Sequence, residues 1–218
     1  MYSRLMATGE ALLALLVPGP RHGYDLKRAH DDWFSGMRPL AYGQVYSTLA
    51  RLQRDGLVGV AHTESGDGPE RVVYELTASG QERVRDWLAE PVDPVGSHAE
   101  ELIRKTLSAY RLDADPHGLM ARQRAVHLRR IRSLGSGEGE GEPAPALMAE
   151  HARLHLDADL RWLEAAAGRI RRQPAPASAP AVAEVFLDDT PVADGDETDL
   201  PTAELVTNSD TNGGHRHE

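Results

Sequence analysis

The sequence predicts a mainly α-helical fold with one pair of β-strands, and three observations support this. Residues 40–56 place Val45, Leu49 and Leu52 on a single stripe of a helix. Two helical segments with tight connections precede that helix, and two segments rich in Val, Tyr and Thr follow it. Three helices and a two-stranded hairpin in this order are typical of a winged helix-turn-helix. A fourth helix and a helical C-terminal dimerisation region complete the predicted fold.

The first two helices are defined by an apolar run and by the residues that interrupt it. Residues 10–17 read as a buried helix that ends at Pro18-Gly19-Pro20. The second helix is expected at about residues 22–34. Residues 35–39 form a turn before the third helix.

The third helix has an outer side that suits a DNA major groove. Gly56 is expected to end this helix, because a left-handed residue is needed there. The outer side carries small, hydrogen-bonding and cationic residues. Glutamine and serine can bond to base edges, and arginine can reach guanine or phosphate. We expect Gln44, Ser47 and Arg51 to lie closest to the bases.

The segments after the third helix predict a wing and a fourth helix. Residues 58–64 and 70–76 are the strands, and the cluster at 65–69 is the turn between them. Thr77-Ala78-Ser79-Gly80 opens an amphipathic helix that closes at Pro91. Its apolar face carries Val84, Trp87 and Leu88.

Four motifs, in order and with specific spacing, resemble the PadR family of bacterial transcriptional regulators. They are Arg21-His22-Gly23-Tyr24-Asp25-Leu26, Tyr42-Gly43-Gln44-Val45-Tyr46 with Leu49-Ala50-Arg51-Leu52, Arg54-Asp55-Gly56-Leu57-Val58, and Tyr74-Glu75-Leu76-Thr77-Ala78-Ser79-Gly80. The similarity covers roughly residues 8–92. It implies a winged helix-turn-helix, a helical dimerisation region and repression of nearby genes that a small molecule releases.

The charge distribution is compatible with DNA binding although the chain has a net charge of −10. Residues 173–218 hold one basic and ten acidic side chains, so the remainder of the chain is close to neutral. Cations on the second and third helices and on the wing are expected to meet DNA, although any one of them alone could be a solvated surface charge. The predicted DNA contacts are Lys27, Arg28, Tyr42, Gln44, Tyr46, Ser47, Thr48, Arg51, Arg54 and Arg71. For Tyr46, packing inside the protein is an equal alternative.

The chain divides into three predicted regions. Residues 1–96 are the DNA-binding domain, 97–173 a helical dimerisation and effector domain, and 174–218 an acidic disordered tail. Residues 91–96 form a linker with few expected packing contacts, and therefore a hinge. Further sequence signals in the second region are the capping box Ser97–Glu100, the helix start Asp115-Pro116 and the flexible acidic loop 135–143.

The last predicted helix, about residues 145–172, carries a seam typical of a coiled coil. We expect Leu156, Leu160, Leu163 and Ile170 to face a second subunit and make a homodimer. The alternative is that these residues pack in a helical hairpin within one chain. Trp87 and Trp162 are the candidate side chains for stacking on a small planar or aromatic effector between the subunits. The competing interpretation is that Trp162 only packs in the dimer core.

Several classes of function find little support in the sequence. The chain has no cysteine, no membrane-spanning apolar run, no signal peptide, no phosphate-binding loop and no nucleophile elbow. We therefore expect a cytoplasmic protein that is not an enzyme and uses no cofactor. His151 and His155 have a spacing that can share a metal ion, but a solvated or interface pair is the favoured interpretation, and no metal is expected. Val185-Phe186-Leu187 is either a docking segment or a chance cluster in the tail.

These features predict a ligand-responsive, homodimeric repressor that reads a near-palindromic operator in double-stranded DNA. The competing hypothesis is a winged-helix module that binds protein and has lost specific DNA binding.

Overall fold

The computed structural model describes residues 2–64, 71–95, 99–134 and 143–175, with side chains from residue 8 onward. All of them lie in one compact unit, Met1–Asp188. The elements in chain order are α1 (Tyr2–Leu16), β1 (Arg21–His22), α2 (Gly23–Trp33), α3 (Tyr42–Arg54), β2 (Val58–Glu64), β3 (Arg71–Leu76), α4 (Ala78–Ala89), α5 (Ala99–Arg111), α6 (Pro116–Ser133) and α7 (Pro143–Arg172).

The N-terminal core forms where the apolar periodicity predicts it. The apolar run of α1 is buried on every side, from Ala11 to Val17. Against it pack Leu26 of α2 and the predicted stripe of α3, whose members Val45, Leu49 and Leu52 are at most 2% exposed. Burial of these aliphatic side chains fixes the orientation of α3, which leaves its opposite side facing outward.

The sheet has three antiparallel strands in the order β1-β3-β2, where the sequence predicts only two. The additional strand is the pair Arg21–His22, which lies beside Tyr74 and Val73 of β3. Two residues that lead directly into a helix carry no alternating pattern, so no sequence signal announces this strand. The wing is consequently joined through backbone hydrogen bonds to the start of α2.

The junction between α3 and α4 follows from three residues of the predicted motifs. Gly56 has φ +74°, the left-handed conformation expected for it. The Thr77 hydroxyl donates to the Gly56 carbonyl at 2.7 Å and accepts from the amide of Gly80 at 3.0 Å, which caps α4. Gly80 lies against the backbone of Leu57, where a Cβ would overlap the carbonyl oxygen. The end of α3 and the start of α4 are therefore held together.

The C-terminal helices bury polar side chains that periodicity does not predict. The cap of α6 is as expected, since the Asp115 carboxylate accepts from the amide of Gly118 at 2.9 Å. In α5, however, the apolar residues Ile103 and Leu107 are only half-buried. The fully buried positions of α5 and α6 include Arg104, Lys105, Thr106, Ser108, Gln123 and His127.

The seam of α7 packs largely within the chain, which corrects part of the dimerisation prediction. Leu156 and Leu163 are each 2% exposed, and Leu163 contacts a cluster formed by Val92, Leu102 and Met120. Side chains so deeply buried in one chain have no surface left for a partner, so Leu156 and Leu163 are core residues. Two other predicted residues, Leu160 and Ile170, are half-buried.

The linker after α4 is also more constrained than the sequence predicts. Val92 is buried and belongs to the cluster just described. Its backbone amide and carbonyl are both hydrogen-bonded to the side chain of Gln123. The expectation of few contacts across residues 91–96 is therefore wrong for Val92.

Several expectations lie outside the described residues. They concern the wing tip at 65–70, Ser97 of the capping box, the acidic loop at 135–142 and the tail at 176–218, including Val185-Phe186-Leu187. The proposed domain boundaries stay predictions. None of the helices in the described ranges combines the length and the apolar character needed to cross a bilayer.

Candidate nucleic-acid interface

One side of α3 packs in the N-terminal core, and the opposite, outer side is exposed. Gly43, Ser47, Ala50 and Arg54 all lie opposite the buried stripe, and all are exposed. The Arg54 side chain is 74% exposed, with Nε 4.0 Å from Asp55 Oδ1. Three small residues followed by an extended cation allow the helix backbone to come close to a neighbouring surface.

Thr48, a predicted DNA contact, does not lie on this outer side. Its side chain is 3% exposed and its hydroxyl donates to the Gln44 carbonyl at 2.7 Å. On a helical wheel position 48 lies about 40° from Leu52, so the threonine borders the core stripe. The assignment of Thr48 as a DNA contact is wrong for this reason.

Arg51 is directed toward α1 and not toward the outer face. Its guanidinium lies 3.7 Å from the Asp55 carboxylate. On the other side, one of its nitrogens lies 2.7 Å from the place where a Cβ on Gly9 would stand. Glycine at position 9 therefore makes room for the guanidinium. Arg51 occupies the α1–α3 contact in this structure, while Arg54 takes the exposed position expected for it.

Three tyrosines lie at the N-terminal end of α3. The rings of Tyr24 and Tyr42 stack at 5.5 Å with an interplanar angle of 12°. The Tyr46 ring packs over Gly23, where a Cβ would stand only 2.6 Å from the ring, yet Tyr46 remains 47% exposed. Both alternatives for Tyr46 therefore hold in part. Sequence reasoning missed Tyr24 and Gly23 as site residues, although the motif Gly23-Tyr24 stood beside the predicted contacts.

The two cations of α2 differ in their contacts: Lys27 forms an ion pair within the protein, and Arg28 is exposed. Lys27 Nζ pairs with Asp31 at 2.6 Å and lies 5.3 Å from the Tyr42 ring centroid. The hydrogen bond to Asp31 raises the pKa of Lys27 above its ordinary value. Burial opposes ionisation of Asp31, but hydrogen bonds with Lys27 and His30 hold its pKa below the ordinary value. Lys27 therefore orders the tyrosine stack, whereas Arg28 is exposed.

Of the wing, the structure describes the strands. Arg71 is exposed at the first position of β3 and is paired in register with Glu64 of β2. His22 Nε2 lies 3.2 Å from Glu64 Oε2, which connects the wing to the start of α2. These strands border an open cleft, whose lining includes Arg28 and His62.

The two candidate effector residues lie in different apolar clusters, and the lining of the cleft includes neither. Trp87 is buried, and its indole Nε1 has no hydrogen-bond partner among the described residues. The Lys105 ammonium lies 5.6 Å from the Trp87 ring centroid, and burial lowers the pKa of Lys105. Trp162 is half-buried against Leu163 and its neighbours.

His151 and His155 lie on the exposed side of α7, with their Nε2 atoms 3.0 Å apart. Within the described ranges, no group of three or more His, Cys, Asp or Glu side chains is placed to hold a metal ion. The pair therefore has no third protein ligand among the residues that the structure describes.

A three-helix core, an exposed third helix and an adjoining β-hairpin together define a winged helix-turn-helix protein. Residues 12–86 match the model of the Transcriptional regulator PadR-like family. Over this region the chain is similar to the PadR-like family of transcriptional regulators.

Two curated relatives match part of the chain. The negative transcriptional regulator PadR of Bacillus subtilis is 31% identical over 78 residues, which are 36% of this chain and 43% of the relative. A probable transcriptional regulator of Mycobacterium tuberculosis is 28% identical over 89 residues, 41% of this chain and 47% of the relative. The matched region thus spans less than half the length of either relative.

Solved structures of this family are also similar. Bacillus subtilis PadR in complex with operator DNA is 23% identical, with a TM-score of 0.37 over 72% of this chain and 96% of that one. The same protein in complex with p-coumaric acid is 21% identical, with a TM-score of 0.34 over 76% and 99%. At these scores the similarity to the family is carried by the sequence match over residues 12–86.

Proposed function

We propose that this protein is a homodimeric transcriptional repressor that binds operator DNA through the outer side of α3. The observation that carries the proposal is the exposed row of Gly43, Ser47, Ala50 and Arg54 on a helix whose other side is locked in the core. A major groove admits one α-helix, and small residues let its backbone approach the base edges.

Within this proposal, Arg54 takes the role that the sequence assigns to Arg51. Arg54 is extended and exposed, while Arg51 is held between Asp55 and the Gly9 backbone. Gln44 and Ser47 remain the candidates for base contacts, since both are exposed near the start of α3. Arg51 instead supports α3 from the α1 side.

Contacts with the DNA backbone come from the surfaces on either side of α3. The exposed Arg28, the edge of the Tyr24–Tyr42 stack and Arg71 at the wing are placed to meet phosphates. Such contacts set the register and orientation of the protein on the duplex, and they carry little sequence information. They also make the binding dependent on salt, because each neutralised phosphate releases counterions.

A homodimer would present two α3 helices to the two halves of a near-palindromic operator, about 34–36 Å apart. The α7 residues that support this part of the proposal are Leu147, Met148 and Leu154, which are 62%, 69% and 63% exposed. Exposed apolar side chains on one helix fit a helical partner. These three residues replace the buried Leu156 and Leu163 as candidate interface residues. The half-buried Leu160 and Ile170 remain candidates.

A small planar or aromatic effector is proposed to release the operator by binding near Trp87. The support is the buried Trp87 Nε1, which has no hydrogen-bond partner among the described residues. Such atoms are costly unless a ligand or water satisfies them. Titration with phenolic compounds, followed by tryptophan emission and by DNA release, tests this part, and an unchanged response in Trp87→Phe would refute it.

The test of DNA binding is a gel shift with the DNA upstream of the protein's own gene, at several salt concentrations. A repressor gives a steep negative slope of log affinity against log salt, whereas a slope near zero favours the protein-binding module. Arg54→Ala is expected to cost about 1–3 kcal/mol on the operator and less on scrambled DNA. The matched control is Arg124→Ala, which removes an exposed arginine from α6, remote in sequence from α3.

A further inference from the structure

Side chains of α5 and α6 hold the backbone that leaves α4. Lys105 Nζ donates to the Glu90 carbonyl at 2.6 Å. Arg122 Nε donates to the Ala89 carbonyl at 3.1 Å. A third contact joins Gln123 to Val92. All three contacts would have to break before the segment after α4 could swing freely.

The contact between Gln123 and Val92 is the most specific of these. The Val92 amide donates to Gln123 Oε1 at 2.6 Å, and Gln123 Nε2 donates to the Val92 carbonyl at 2.8 Å. Gln123 is fully buried. The side-chain amide thus pairs with both backbone groups of one residue, and away from water both groups would be costly to leave unpaired.

His127 extends this pairing toward α7. Its Nδ1 lies 3.0 Å from the Gln123 backbone carbonyl oxygen and 3.2 Å from Gln123 Nε2, and its Nε2 lies 3.4 Å from Asp159 Oδ2. With its proton on Nε2 the imidazole donates to Asp159 and accepts from Gln123 Nε2, whereas with its proton on Nδ1 it donates to the Gln123 carbonyl. In either tautomer His127 contacts both Gln123 and Asp159.

We propose that Gln123, oriented by His127 and Asp159, is the positioning residue that fixes the winged-helix unit relative to α6 and α7. The inference deepens the proposed function, because it names what sets the spacing of the two α3 helices in a dimer. At the other end of α4, Thr77 is bonded to Gly56 after α3. Hydrogen bonds from Asp159 to Val92, the short segment that joins Val92 to α4, and α4 itself therefore connect Asp159 with the end of α3.

A DNA-independent measurement tests whether the connection orders the linker. Gln123→Met keeps a long, helix-compatible side chain and removes both bonds to Val92. We expect hydrogen exchange at the Val92 amide to become at least about tenfold faster, while Arg124→Met, its neighbour on the exposed side of α6, leaves it unchanged. His127→Phe keeps a ring of similar size, should accelerate exchange less, and serves if the Gln123 variant does not fold. Unchanged exchange in both variants overturns the proposal.

DNA binding then distinguishes positioning from simple stability. We expect Gln123→Met to weaken binding to a duplex with both half-sites about tenfold or more, because linked binding depends on geometry. Binding to a single half-site should stay within about twofold. An equal loss on both duplexes, or no loss on either despite faster exchange, overturns the positioning role. If the wild-type protein binds neither duplex, the proposed function fails, and the exchange result alone decides whether Gln123 orders the linker.

Discussion

The winged-helix region and the C-terminal helices differ in the kind of side chain that they bury. Around α3 the buried residues are mainly aliphatic, and glycines leave room for the Leu57 backbone at Gly80 and for the Arg51 guanidinium at Gly9. In α5 and α6 the buried positions include two cations, two hydroxyls, an amide and an imidazole. Aliphatic cores tolerate small adjustments, whereas a buried polar group that is paired with its neighbours, as Gln123 is with the Val92 backbone, favours one arrangement.

The largest effect on stability is expected at Gly80 in the winged-helix region, because the close packing there requires a residue without a Cβ. In Gly80→Val, the new side chain overlaps the Leu57 carbonyl, so either α4 or the end of α3 must shift. We expect a loss of unfolding free energy of about 3 kcal/mol, measured by chemical denaturation. The matched control is Ser79→Ala, at the exposed neighbouring position. A loss below about 1 kcal/mol would show that the junction is looser than described.

In the C-terminal region the next largest effect separates packing within one chain from packing between chains. Leu163→Ala removes a buried side chain from the cluster with Met120 and should cost about 2–4 kcal/mol. Leu154→Ala removes an exposed one and should weaken self-association without altering the stability of the subunit. Sedimentation across a range of concentrations, combined with denaturation, distinguishes the two. If both variants dissociate to the same extent, Leu163 is a residue of the dimer interface and not only of the core.

The contrast between the regions also explains what the sequence could predict. The stripe of α3, the left-handed Gly56 and the caps Thr77 and Asp115 depend on neighbours along the chain, and their residue types announce them. A helical wheel places Thr48 at the border of the core stripe, and the polar character of its side chain argues for the outer face.

Other features depend on partners distant in sequence. Arg51 turns toward Gly9 because of an interhelical approach, and Gln123 is buried because Val92 offers both backbone groups. Leu163 is covered by residues from three other segments. No local pattern encodes such partners, so periodicity alone places Leu163 on a dimer seam.

A pH titration gives a smaller effect at the boundary between the regions. His30 of α2 is 1% exposed, with Asp31, Lys27 and Arg104 as its charged neighbours. Burial lowers its pKa below 6.5, so the folded state binds a proton less readily than the unfolded state. Its contribution to stability is present above pH 6.5 and is lost as the pH falls through the folded-state pKa.

The thermal midpoint should therefore fall on acidification, and His30→Leu should reduce that pH dependence. The exposed His62 offers the control, because His62→Leu should leave the slope as it is. An unchanged slope in His30→Leu would locate the acid sensitivity in other groups.

The smallest effect is expected for Gly43→Ala on the outer side of α3, which should increase stability but weaken DNA binding. A Cβ on Gly43 meets no atom within 4 Å, so Gly43→Ala should raise the unfolding free energy by about 0.5 kcal/mol. If the helix backbone approaches DNA there, the added methyl should nevertheless weaken operator binding, measured by fluorescence anisotropy. Stronger binding in this variant would show that the groove contact lies elsewhere on α3.

Because α7 is long, a small tilt at the His127–Asp159 contact near its middle displaces its ends by a larger distance. Thirty residues of α-helix extend about 45 Å, and Asp159 stands near the centre of that span. A tilt of about 5° around this point moves each end by about 2 Å, in opposite directions. A change in the hydrogen bonds near Asp159 that tilts α7 therefore moves the residues near the helix ends most, and at the N-terminal end these include the exposed apolar side chains Leu147 and Met148.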